Sequence, residues 1–164
     1  MIKSIIVLVA LMMSALCASQ NIEKPVMMTP KSEKAQKVAS VHWESDFKTA
    51  IEKAQVAHKP LMLVVSKKSC KWCYHYKENA LVDPLVVKAI NRDFIALMIE
   101  MEDGGLPKEL WTPGTPATWF LDNTPQPMYQ PLMGSQPAST LLNAFGVIMK
   151  DFNEPPVTKE VAKK

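Results

Sequence analysis

The sequence predicts an α/β domain over residues 41–152, with a central mixed sheet of about four strands flanked by helices. Three observations predict it. Leu61–Val65 is a continuous apolar run, the pattern of a strand buried on both faces, and "FIALMIEM" (94–101) reads as a second apolar strand. Each follows a segment with apolar residues at helical spacing. A third run, "ATWFLD" (117–122), leads into the turn "NTPQP" and then a last helical pattern. The resulting order is helix, strand, helix, strand, hairpin, helix.

The first element, "SDFKTAIEKAQVAH" (45–58), reads as an amphipathic helix with Phe47, Ile51, Ala54 and His58 on one stripe. Ser45 or Asp46 supplies its N-cap. After the first strand and a Cys-rich turn, "YHYKENAL" (74–81) continues as a helix. Asp83-Pro84 breaks it, and "DPLVVKAINRD" opens a further helix with Pro84 in its first turn. The Gly/Pro-rich "DGGLPKELWTPGTP" (103–116) is a loop with room for one helical turn. A fourth strand is expected within Met128–Met133. "QPASTLLNAFGVIMKDF" then closes the domain as a helix with Leu141, Leu142, Phe145, Ile148 and Met149 on one side.

Outside this domain the composition changes. Residues 1–18 carry one early charge, Lys3, an apolar run from Ile5 to Leu16 and then small residues, the pattern of a secretory signal peptide. The run falls short of the roughly 20 residues a bilayer span needs. An exported, periplasmic protein is therefore expected. Lipid anchoring through Cys17 is a lesser alternative, because bulky Leu16 precedes it where small residues are the rule. Residues 19–40 read as a linker or flexible arm and residues 153–164 as a flexible tail, where Pro155-Pro156 blocks helix continuation. Met27-Met28 in the arm reads as mobile apolar filler rather than a soft-metal site.

Charge excludes more than it suggests. Lys and Arg number 19 against 16 acids, and the lysines are scattered. That pattern argues against a nucleic-acid partner and against a membrane-surface protein.

Cysteine usage is more informative. The chain has three Cys, and loss of Cys17 with a signal leaves two, both in "SCKWCY" (69–74). So short a loop constrains the unfolded chain very little, which points to a reactive pair rather than a structural staple. Covalent haem attachment needs His directly after the second Cys, and Tyr74 stands there instead. Zinc would recruit Cys70, Cys73 and His75. At about 100° per residue, however, His75 points away from the thiol face, and no second Cys pair completes a tetrahedral set.

Thiol–disulfide exchange fits the pair better. At the start of a helix Cys70 gains unsatisfied N–H groups and the helix dipole, which favour a thiolate. Cys70 is then the nucleophile, and Cys73, one turn on, the thiol that resolves a mixed disulfide. Lys67, Lys68 and Lys71 either add to that positive field or serve only as solubilising surface. A thiol module that binds copper or zinc for delivery, or a redox-inactive adaptor, remains the alternative.

Taken together, Trp43, Lys59-Pro60 before the first strand, Cys70-Lys71-Trp72-Cys73 and "GTPATWFLD" resemble the thioredoxin superfamily, in particular its exported thioredoxin-like members. The resemblance covers residues 42–152 and implies a thioredoxin-like fold. It also implies a thiol:disulfide oxidoreductase, reductase or isomerase rather than oxidase, that needs no cofactor and no metal. Thr115-Pro116 is expected to be cis and to face the cysteines. Thr115 would pair with an extended substrate segment, and Trp72 would offer it an apolar surface.

The implied partners are proteins with disulfides or thiols and a membrane-embedded electron donor, with the chain itself a monomer. Two positions depart from the family pattern. Val64 occupies the place of a buried acid, six residues before Cys70. Glu100 and Glu102 are substitutes in principle but read as exposed strand-end residues. Lys71-Trp72 matches none of the familiar dipeptides that set redox direction.

Overall fold

The computed structural model describes residues 39–154. The expected signal peptide, Cys17, all but the last two residues of the arm at 19–40, and the tail from residue 155 lie outside them. Among the described residues no helix is long and apolar enough to cross a membrane.

Five strands form one sheet in the order β1-β3-β2-β4-β5. They are β1 (Trp43–Glu44), β2 (Leu61–Ser66), β3 (Ile95–Glu100), β4 (Ala117–Leu121) and β5 (Leu132–Met133). β3 runs parallel to both β1 and β2, whereas β4 is antiparallel to β2 and β5. The fifth strand beyond those expected is β1. Two residues are too few to show a period, so only the pairing of Trp43 with Ala96 reveals it. The fourth expected strand is confined to Leu132–Met133, and Pro127 contributes a single bridge to Leu121.

Among the described residues four helices cover the sheet: α1 (Phe47–Ala57), α2 (Lys71–Glu78), α3 (Pro84–Asp93) and α4 (Ala138–Asn153). Side chains alternate across β2, so the two faces of the sheet feed two cores. Leu61, Leu63 and Val65 join Leu97, Trp119 and Leu121 beneath Ala50 and Ala54 of α1. Met62 and Val64 join Phe120 and Tyr76 of α2, Val86 and Ile90 of α3, and Phe145 and Ile148 of α4. This second face carries α2, whose Tyr76 is bonded to Thr118 of β4 and whose Lys77 is paired with Glu100 of β3.

Helix starts follow local chemistry. Asp46 is extended and accepts from Thr49 N at 2.9 Å, the N-cap of α1. Asp83 caps α3 through Leu85 N and Val86 N, with Pro84 at the first position. His58 does not share the apolar stripe of α1. It ends the helix in the left-handed conformation, φ 54°, and its N–H closes onto Ala54 O and Gln55 O.

The Asp46 cap is open to a pH test. The hydrogen bond from Thr49 N, followed by those from the Ser45 and Thr49 hydroxyls, lowers its carboxyl from 3.8 to about 2. A depressed carboxylate contributes stability above its unfolded value and loses it as pH falls through the folded one. Asp46→Ala is therefore expected to lower the thermal midpoint at pH 7. The gap from the parent should close between about pH 4 and pH 2. A gap independent of pH would mean that the carboxylate is not what caps α1.

Candidate functional site

The chain leaves the end of β2 at Ser66, crosses Lys67–Ser69 and enters α2 through Cys70, its N-cap. Cys70 and Cys73 are paired as a disulfide with Cα atoms 5.2 Å apart. The two sulfurs are not equivalent. Cys70 is half-buried, and its Sγ accepts from Cys73 N at 3.1 Å. Cys73 is 1% exposed, inside the first turn and facing the core. An incoming disulfide can reach the first sulfur and not the second.

Opposite Cys70 stands the turn before β4. The Thr115–Pro116 peptide bond is cis, and Cys70 Sγ lies 3.5 Å from Thr115 O. Pro116 O accepts from Gly134 N at 2.7 Å, tying the turn to the end of β5, where Gly134 takes φ 84°. Met133, 42% exposed, pairs with Ala117 in the β4–β5 register and packs against Gly114. Trp72 is 60% exposed, with its ring edge-on to His75 at 5.8 Å between centroids. The structure thus brings Cys70, Cys73, Thr115 and Pro116 together and leaves Trp72 beside them on the surface.

His75 is exposed and bonds Ser135 Oγ through Nδ1 at 3.1 Å. Among the described residues no three His, Cys, Asp or Glu side chains form a metal-ligand group.

The lysines divide. Lys68 forms an ion pair with Asp103, and its N–H donates to Glu102 Oε2 at 3.3 Å. The hydrogen bond to Asp103 raises its ammonium above the usual range. Its charge is therefore largely compensated at the site. Lys67 and Lys71 form no ion pair among the described residues.

Two polar features beneath α2 escape a reading of the motif alone. Tyr76, fully buried, shares a hydrogen bond with Thr118 Oγ1 at 3.0 Å. Burial raises its phenol to about 12, against the opposing effect of the Thr118 bond, so it stays protonated at neutral pH. Its place three residues after Cys73 is the only sequence signal. Glu100 is the second feature and corrects the expectation of an exposed strand end. It is half-buried and ion-paired with Lys77.

Comparisons with known proteins agree with this fold. A family model described as Thioredox_DsbH, protein of unknown function DUF255, matches residues 26–107, half of the chain. Spermatogenesis-associated protein 20 of Mus musculus is 27% identical over 93 residues, which is 45% of this chain and 12% of that protein. The chain thus spans about an eighth of this curated relative. A thioredoxin from Thermus thermophilus superposes with a TM-score of 0.63 at 19% identity, over 76% of this chain and 99% of that one. A structure described as DsbH oxidoreductase superposes with a TM-score of 0.57 at 16% identity, over 81% and 95% respectively. At these identities the likeness is one of fold.

Proposed function

Because the chain belongs to the Thioredox_DsbH family, we propose that its Cys70–Cys73 pair reduces or reshuffles disulfides of exported proteins in the cell envelope. The fold and the pairing of the two cysteines support thiol–disulfide exchange as the general reaction. One observation carries the assignment of roles. Cys70 is reachable at a helix N-terminus, whereas Cys73 is 1% exposed.

In the reduced protein the Cys70 thiolate attacks one sulfur of a substrate disulfide. A Cys70–substrate disulfide forms, and the other substrate sulfur leaves with the electron pair and takes up a proton. Cys73 then loses its proton and attacks Cys70 Sγ. The Cys70–Cys73 disulfide forms, and the second substrate sulfur departs as thiolate. The substrate gains two electrons and the protein loses them.

Thr115 and Pro116 would align an extended substrate segment opposite Cys70, with Trp72 as an apolar contact beside it. A membrane-embedded donor would restore the dithiol. Export rests on the apolar run at 5–16, and a monomer is the expected state.

Electron flow is decided by the potential of the pair. Equilibration with glutathione is expected to place it near the thioredoxin value of about −270 mV. A value near about −120 mV would overturn the reductase reading in favour of an oxidant.

A further inference from the structure

The α2 side of the sheet holds two buried polar atoms with no hydrogen-bond partner among the described residues, Ser66 Oγ and Glu100 Oε2. Buried polar atoms nearly always have one, so an orphaned pair calls for a reason. The two residues are partners in the parallel β2–β3 register and therefore project from the same face. On that face Ala96, Val64 and Tyr76 belong to one core, with Met98 packed against it.

The other oxygen of Glu100 is held by Lys77 of α2. Lys77 follows Cys73 by four residues, one helical turn along the same side. Glu100 is therefore tied to the turn of α2 that follows Cys73. Val64, two residues before Ser66 on the same face, brings no acid of its own.

We propose that Glu100, with the Ser66 hydroxyl beside it, accepts the proton that Cys73 must lose to resolve a mixed disulfide. The inference rests on the exchange reaction proposed above and adds the destination of its proton. The Cys73 S–H bond breaks, its electron pair stays on sulfur and forms the bond to Cys70 Sγ, and the proton passes to Glu100 Oε2. The leaving substrate sulfur carries away the pair from the broken disulfide, so no further oxidant or reductant is required. Lys77 holds the carboxylate in place through Oε1 and leaves Oε2 free for the transfer.

Other groups around this site are accounted for. Lys68, from the loop after β2, lies within electrostatic reach of Glu100, Glu102 and Asp103. Tyr76 of α2 is bonded to Thr118 of β4. Glu44 of β1 is paired with Lys53. The buried face of α3 contributes Val86, Val87, Ala89 and Ile90, none of them titratable.

The scale of the effect follows from the chemistry of thiols. An ordinary cysteine thiol near 8.5 is only about 3% thiolate at pH 7, so help from a base is worth on the order of ten-fold or more. Glu100→Gln is expected to slow single-turnover oxidation of the reduced full chain by insulin about ten-fold at pH 7. That deficit should narrow as pH rises and hydroxide takes over removal of the proton. Ser66→Ala removes only a hydroxyl and should show a smaller loss with the same recovery. A purely structural defect would instead slow both variants equally at every pH, and that result, or an unchanged rate at pH 7, would overturn the proposal.

A second measurement is independent of turnover. With Cys70→Ser as background, the pH dependence of Cys73 alkylation by iodoacetamide should move to lower pH when Glu100 becomes Gln, because a nearby negative charge has been removed. An unmoved profile would overturn the proposal even if insulin is reduced. Failure of the parent chain to exchange disulfides, with the alkylation profile still shifted, would count against the proposed reaction and leave the Glu100–Cys73 coupling standing.

Discussion

Cys70→Ser is expected to abolish reduction of insulin disulfides, a loss on the order of 10³ or more, because a serine hydroxyl has no accessible anionic form at neutral pH. Cys73→Ser should behave differently. Cys70 keeps its exposure, its contact with Thr115 O and the N–H bond from residue 73, so the first attack still occurs. With no second thiol the adduct cannot be resolved. The variant should therefore accumulate as a covalent complex with substrate, visible on a non-reducing gel and released by dithiothreitol.

The contrast between the two variants checks the assignment. If the Cys70 variant forms the trapped complex and the Cys73 variant does not, the roles are reversed. Full activity in the Cys70 variant would remove the mechanism altogether.

The largest expected effect on stability lies away from the cysteines. Phe145 of α4 is 3% exposed, with ring centroids 4.9 Å from Phe94 and 6.0 Å from Phe120. Phe145→Ala deletes the ring that joins α4 to the sheet and to the end of α3. Removing a buried Phe costs about 3–5 kcal/mol, a large part of the roughly 5–15 kcal/mol that holds a typical domain together. With a urea dependence of about 2 kcal/mol per molar, the unfolding midpoint should fall by about 2 M. Val147, on the same helix, is 52% exposed. Val147→Ala should change stability by no more than about 0.5 kcal/mol. Equal shifts for the two would mean that the aromatic cluster does not carry the α4 contact.

How far each feature could be read from the chain depended on the range of the forces behind it. The apolar run Leu61–Val65 declared a buried strand because every one of its side chains is inside, on alternating sides. Asp46, offered with Ser45, and Pro84 declared helix starts because capping and the first turn involve only the next few residues. Spacing puts His58 on the apolar stripe because helical periodicity carries no information about the turn where the helix ends. Once α1 stops, its next residue obeys cap geometry. β1 was missed for a related reason, since its existence depends on β3 being alongside.

Glu100 shows the same limit at the site. In the sequence it is a charge at the end of an apolar run, and such charges are usually solvated. Lys77 and the cover of α2 turn it into a half-buried carboxylate with one oxygen out of contact with solvent.

Sequence alone determined the α/β order of elements, the close spacing of Cys70 and Cys73 and the Thr115-Pro116 motif, all encoded in contiguous residues. Tertiary structure decided which sulfur is accessible, what faces it, how far each lysine is compensated and which lysine holds Glu100. Burial and electrostatics depend on distances between segments remote in the chain, and those distances exist only after the sheet has formed.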